Sequence, residues 1–157
     1  MSLAKDWDPI NYLKFKNERT QPSIDLISRI NIADPKNIID IGCGPGNSTE
    51  VLLQKWASSK ITGINNSSAM IDKAKKDYSD QIWKIQDASK IDLKEKFDVV
   101  FSNAAIQWIP DHEKLLLSFM NIVNKNGALA IQIPLYNEMP ICEIIDSVFK
   151  KSQSGKN

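Results

Sequence analysis

The chain predicts an α/β fold, a doubly wound parallel sheet with strand order 3-2-1-4-5. Short apolar runs alternate with amphipathic stretches along its length, the first run stops at three glycines spaced two apart, and the fourth run is apolar without alternation. The alternation is the mark of strand-helix repeats, and the unbroken run is what a strand covered on both faces requires. Right-handed crossovers leave few other topologies.

Residues 6–21 are polar, with Trp7, Tyr12 and Phe15 scattered among them, and Tyr12, Phe15 and Arg19 share a face at helical spacing. On pattern alone they form an N-terminal helix whose aromatics cover the core. A second helix over 22–32 begins at Pro22-Ser23, carries Ile24, Leu26, Ile27 and Ile30 as its apolar stripe, and ends before Asp34-Pro35. The first strand is 37–41, with Asp40 at its end, and it runs into Gly42-Cys43-Gly44-Pro45-Gly46 and a helix from Ser48 to Trp56. Glycines there let backbone approach a ligand where a Cβ would collide, and amides at the new helix start favour polar or anionic groups. The stretch therefore reads as a cofactor loop of the nucleotide type.

The second strand is 60–66, and Ser67 caps the next helix, in which Met70, Ile71 and Ala74 face inward. Strand three, 82–88, alternates, and strand four, 97–102, is ended by Asn103. Asn103 and Ala104 belong at the pocket floor, because ligands of such sheets bind outside the carboxyl ends of the strands. Asp111 caps a helix over 113–123 that turns Leu115, Leu116, Phe119, Met120 and Val123 inward, and Asn126-Gly127 closes it. His112 is expected at the surface. Strand five, 128–133, is ended by Pro134, and a last helix covers 141–151. This makes one domain over 4–151 and a polar tail over 152–157, with Met1–Leu3 set aside as foreign to it.

A chain of 157 residues, 42% hydrophobic and 25% charged, has material for one packed core. Twenty basic and nineteen acidic residues leave a charge of +1 with no long run of either sign, so electrostatics gives no footprint for nucleic acid. No apolar run approaches the roughly 20 residues of a membrane span and no secretion signal opens the chain, so the expected setting is the cytoplasm, without a membrane partner. Cys43 and Cys142 are too few for a disulfide scaffold or a zinc site and read as free thiols, with no metal expected.

The glycine spacing separates two cofactor classes. Gly42, Gly44 and Gly46 give G-x-G-x-G, whereas the dinucleotide fingerprint is G-x-G-x-x-G, which places a nicotinamide dehydrogenase well behind. The run Asp40-Ile41-Gly42-Cys43-Gly44-Pro45-Gly46 resembles the first motif of class I S-adenosylmethionine-dependent methyltransferases. Together with Asn47-Ser48-Thr49-Glu50 and the run Ser102 to His112, including Asn103-Ala104-Ala105-Ile106-Gln107-Trp108, it is similar to the trans-aconitate methyltransferase family. The opening Asp6-Trp7, Tyr12-Leu13, Phe15 and Glu18-Arg19-Thr20-Gln21-Pro22 is similar as well, and in that family it caps the pocket.

The resemblance implies S-adenosylmethionine as cofactor and a Rossmann-like methyltransferase fold. It implies that Asp40 orders the glycine turn and approaches the amino-acid portion of the cofactor, that Asp87 accepts the adenine amino group, and that Ala88 leaves room for the ring. Met70 stands between two readings, core residue and adenine contact. Trp108 stands between core and a wall of the acceptor site. Arg19 is either a carboxylate clamp, suited by its planar fork, or a partner of Glu18 or Asp25 on its own helix. The family pattern continues beyond this sequence, so strands six and seven are expected to be absent, the edge of strand five to be bare, and a homodimer to form through it.

One position departs from the pattern. An acid about 20 residues past the glycines accepts hydrogen bonds from both ribose hydroxyls, but this chain has Asn65 there, with Asn66 beside it. A neutral amide has one acceptor oxygen, which predicts weaker cofactor binding by about 1–2 kcal/mol, roughly tenfold. The leading expectation is carboxyl O-methylation of a small polycarboxylic acid such as trans-aconitate, with a nucleophile that is ionised at neutral pH and needs no general base. The alternative is a cofactor-binding or interaction module without turnover, suggested by Asn65 and the missing C-terminal part.

Overall fold

The computed structural model describes residues 16–91 and 93–135, with Asp8, Cys142 and Ile144, and gives 16–19 in backbone only. The elements are α1 (Lys16–Ser28), β1 (Asn37–Ile41), α2 (Asn47–Lys55), β2 (Lys60–Asn65), α3 (Ser68–Asp77), β3 (Ile82–Ile85), β4 (Phe97–Asn103), α4 (His112–Asn121) and β5 (Val123–Gln132), with single 3₁₀ turns at Ala88–Lys90 and Ile106–Trp108. The sheet order is β3-β2-β1-β4-β5 and every described pair is parallel, as the alternating pattern predicts.

Successive side chains of a strand point to opposite faces, and here both faces are covered. Ile38 of β1 packs with Ile61, Val99 and Phe101 beneath Ile27, Val51, Leu52 and Trp56 of the first two helices. Its neighbour Ile39 packs the other way, with Ile41, Ile64, Val100, Leu115 and Phe119. A third cluster joins Cys43, Ile71, Ala74 and Trp83 near the edge formed by β3. The lower end of the sheet is tied by Asp98, whose carboxylate accepts from the amides of Lys36 (2.7 Å) and Asn37 (3.0 Å) and from Asn124 Nδ2 (2.7 Å). Those bonds, the amide of Asn37 foremost, hold the Asp98 carboxyl below its ordinary range.

Four expectations need correction. Pro22 does not begin a helix: α1 runs from Lys16 through it, and the missing N–H is outweighed by burial of Ser23, Ile27 and Ile30, while Ile24 lies 42% exposed. Lys55 then clasps the end of α1, donating to the carbonyls of Ile27 and Ile30 at 2.8 Å each. Strand β3 stops at Ile85, since Asp87 Oδ1 accepts from the amide of Ser89 and draws the chain into a 3₁₀ turn. On α4 only Leu115 and Phe119 are buried, and Leu116 and Met120 are exposed because no described element covers that flank. Asn126-Gly127 lies within β5, at a register shift where one residue of β4 faces four of β5. A Cβ at Gly127 would come within 2.8 Å of the Asp98 carbonyl oxygen.

The predicted helix over 141–151 falls outside the described residues apart from Cys142 and Ile144, as do Trp7, Tyr12, Phe15 and the tail. No helix among the described residues is long and apolar enough to cross a membrane.

Phe119 is fully buried between α4 and the sheet. Phe119→Ala is expected to lower unfolding free energy by about 3–5 kcal/mol, read as a fall in the urea midpoint with an unchanged slope.

Candidate functional site

A cavity of about 870 Å³ opens where the strands end. Gly42 and Gly44 wall it after β1, Asn65 and Asn66 at the end of β2, Gln86 to Ser89 after β3, and Asn103 to Ala105 at the end of β4. Met70 closes one side from α3, Gln107 to Pro110 another, and Pro22 and Pro134 complete it. Apart from Pro22 and Met70, which helices supply, these positions lie at or just beyond carboxyl ends of parallel strands, where loops to the helices splay apart and leave a crevice.

The turn after β1 is set by backbone geometry that side chains oppose. Gly42 has φ 77° and Gly46 has φ 99°, and the amides of Gly42 and Cys43 both donate to the carbonyl of Ile64 at 2.9 and 3.1 Å. A Cβ on Gly42 would lie 2.2 Å from that of Ala105, so this glycine lets the β1 and β4 loops meet at the cavity wall. A Cβ on Gly46 would strike the ring of Tyr78 at 2.7 Å. Gly46 thus faces packed side chains and does not line the cavity.

Asp40 lies behind the turn, 1% exposed, and is also not in the cavity wall. Its Oδ2 accepts from Ser48 Oγ and Thr49 Oγ1, both at 2.7 Å, while Oδ1 has no partner among the described residues. Burial pushes its pKa up to about 6, against the lowering effect of the two hydroxyls. The neighbouring Cys43 thiol is pushed up too, by burial and then by the charge of Asp40, which makes it a poor nucleophile.

The remaining predicted residues divide by their surroundings. Asn65 accepts the amide of Ser67 on Oδ1 at 2.9 Å, and the Ser67 hydroxyl accepts the amide of Met70 at 3.2 Å, as its capping role predicts. Met70 is 2% exposed and still forms part of the cavity wall, so core and wall are not exclusive for it. Asp87 accepts from both the amide and the hydroxyl of Ser89, which lower its pKa, hydroxyl first, and keep it ionised. Ala88 and Asn103 line the cavity, and Trp108 lines it at 64% exposure, which removes the core alternative for that residue. The backbone of Arg19 lies in α1, and its side chain is outside the described residues.

Asn103 Oδ1 and Gln107 Oε1 are buried acceptors without a partner among the described residues. Buried polar atoms are normally satisfied, so these two oxygens leave the cavity wall able to accept from a water or a donor-bearing ligand. Sequence reasoning placed Asn103 there and passed over Gln86, Ser89 and Ala105. Their signal was positional, since Ser89 and Ala105 follow predicted strand ends and Gln86 lies in the last residues of predicted strand three. Ala104 adds a left-handed φ of 51° that no residue pattern announced. His112 is exposed, as expected, and its Nε2 donates to the Ile106 carbonyl at 2.9 Å. Asp111 occupies the cap position with φ 60° but its side chain makes no capping bond.

Comparison with known proteins agrees with this geometry. The sequence profile of the family described as methyltransferase domain matches residues 39–131. The chain is 39% identical over 129 residues to a trans-aconitate 2-methyltransferase of Enterobacter sp. (strain 638), covering 82% of this chain and 51% of the relative. It is 40% identical over 129 residues, with the same coverage, to a trans-aconitate 2-methyltransferase of Escherichia coli O139:H28. The chain thus spans about half the length of the curated relatives it matches. Among solved structures, an S-adenosylmethionine-dependent methyltransferase from Clostridium acetobutylicum superposes with TM-score 0.66 at 20% identity, over 79% of this chain and 56% of that one. Streptomyces venezuelae DesVI gives 0.67 at 18%, over 80% and 55%. At those identities the likeness is one of fold.

Asp40 makes stability depend on pH. In the folded chain its carboxyl keeps its proton up to about pH 6, whereas unfolded it releases it near 3.8, so folding takes up a proton between those values. Stability contributed by this group therefore falls as pH rises from 3.8 to 6, by on the order of 3 kcal/mol. The difference in urea midpoint between the native chain and Asp40→Asn is expected to vary across that window and to be flat above pH 7.

Proposed function

Because the chain belongs to the methyltransferase domain family, whose profile covers residues 39–131, we propose that it binds S-adenosylmethionine and transfers its methyl group to a carboxylate of a small polycarboxylic acid such as trans-aconitate. The observation that carries this is the cavity at the strand ends, walled by the glycine turn on one side and by Asn65, Met70, Asp87 and Asn103 on the others. Its volume of about 870 Å³ is within the range of small-molecule and cofactor sites. The residues fit the cofactor by their chemistry: Gly42 and Gly44 offer bare backbone, Asp87 an ionised acceptor, and Asn103 and Gln107 unused carbonyl oxygens. Relatives named trans-aconitate 2-methyltransferase support the choice of acid.

In this reading Gly42, Gly44, Asn65, Asn66, Met70, Asp87, Ala88 and Asn103 hold the cofactor, while Asp40 and Gly46 act from behind by fixing the turn. The bound cofactor supplies an electrophilic methyl group on a sulfonium. Arg19 orients the acid through its planar guanidinium, and Trp108 walls the acceptor side. A carboxylate is ionised at neutral pH, so no residue has to remove a proton from it. The chain's work is to bind, orient and exclude water. The same reading includes a homodimer through β5, which is an edge among the described strands, with Ile133 and Leu135 exposed just beyond it. It sets the reaction in the cytoplasm, in keeping with a buried, unbridged Cys43. A second reading, cofactor binding without turnover, draws on the committed oxygen of Asn65.

Titration of S-adenosylhomocysteine into the chain is expected to give saturable heat, and radiolabelled S-adenosylmethionine with trans-aconitate to give a methyl ester. Heat without ester would favour the second reading, and no heat would refute both. Arg19→Lys keeps the charge and loses the bidentate fork, and is expected to raise KM for the acid about 10- to 100-fold with S-adenosylhomocysteine affinity unchanged. A strictly monomeric chain in light scattering at high concentration would count against the dimer.

A further inference from the structure

We infer that the end of β2 offers the ribose of its ligand a hydrogen-bond donor ahead of an acceptor, so that the site accepts adenosyl ligands whose ribose hydroxyl is alkylated to an ether. The inference rests on the adenosyl-binding reading above. Asn65 lines the cavity at the end of β2, and its Oδ1 accepts the backbone amide of Ser67 at 2.9 Å. That amide can only donate, so whichever atom of the Asn65 side chain faces it must be the oxygen. A flipped side chain would oppose two donors and leave the amide of Ser67 unsatisfied. Ser67 is not free to move away, since it is 4% exposed and its hydroxyl holds the amide of Met70 at the start of α3. One of the two lone pairs of Oδ1 is therefore spent within the loop, which makes this oxygen a poorer acceptor for a ligand. The Nδ2 of Asn65, with two N–H groups, remains for the cavity, and no described residue is bonded to it.

An acid at this place would still accept the amide of Ser67 on one oxygen and would take a ribose O–H on the other. It requires the hydroxyl proton. Nδ2 requires only a lone pair, which a hydroxyl and an ether oxygen both carry. Replacing the proton by a small alkyl group therefore removes what an acid needs and keeps what Asn65 uses. Deleting the oxygen removes the acceptor itself.

The test compares adenosine with its 2′-deoxy, 3′-deoxy, 2′-O-methyl and 3′-O-methyl derivatives by titration calorimetry, with S-adenosylhomocysteine as reference ligand. At one of the two ribose positions the native chain should bind the O-methyl compound within about threefold of adenosine and the deoxy compound about tenfold more weakly. Asn65→Asp, which has the same shape and keeps the Ser67 bond, should bind adenosine about tenfold tighter and lose that gain on O-methylation. If the native chain loses as much on O-methylation as on deoxygenation at both positions, the inference is overturned while S-adenosylhomocysteine binding leaves the parent reading intact. Absence of heat with S-adenosylhomocysteine overturns both together. The native-chain comparison needs no variant, so it decides the matter even where Asn65→Asp folds poorly.

Discussion

Asp40 stands at the carboxyl end of the central strand with one oxygen held by two hydroxyls from the first turn of α2. That pair of bonds ties the end of β1 to the start of α2 across eight and nine residues, and leaves the glycine turn little freedom in between. The amides of Gly42 and Cys43 are pinned at the same time to the carbonyl of Ile64 on β2. A buried carboxylate costs free energy unless it is hydrogen-bonded, and here burial wins enough to raise its pKa while the hydroxyls retain it as an acceptor. The cavity wall inherits its shape from this arrangement. Asp40 contributes to the site without lining it, a division of labour that a list of conserved-looking motif residues would conceal.

The second constraint is coverage of both faces of the sheet. Ile38 and Ile39 are adjacent in sequence, fully buried, and in different cores. Such a strand leaves no polar face on which to place functional groups. They are displaced to the strand ends, where the backbone leaves the sheet and its amides and carbonyls lose their ladder partners. This is why the cavity is bounded by five separate strand ends and why its polar atoms come from strand-terminal residues and the loops beyond them.

Electrostatically the wall is quiet. Asn65, Asn66, Asn103, Gln86 and Gln107 contribute amides, and Asp87 is the one carboxylate among the described residues that line it. Amides read hydrogen-bond direction more than charge, so which way each one faces carries the selectivity. For Asn65 that direction is dictated by Ser67, and for Gln107 by the Ala104 carbonyl, which accepts from its Nε2 at 2.9 Å.

The sequence by itself determined the sheet order and the end of the sheet at which the cavity opens. The first strand was predicted at 37–41 and is found there, the order 3-2-1-4-5 follows, and Ser67 caps α3 as its type suggests. These are local or nearly local properties, in which period, punctuation and capping chemistry lie within a few residues of one another. Only the tertiary structure decided which parts of an apolar stripe are covered, because burial depends on neighbours distant in sequence. Ile24, Leu116 and Met120 fit a helical stripe and remain exposed, whereas Pro22 fits a helix start and is carried inside α1 by the packing of Ile27 and Ile30. The same holds at the site: three glycines look alike in sequence, yet Gly42 is needed against Ala105, sixty-three residues away, and Gly46 against Tyr78. No spacing rule reports such an approach, since it is made by the meeting of loops that the folded sheet brings together.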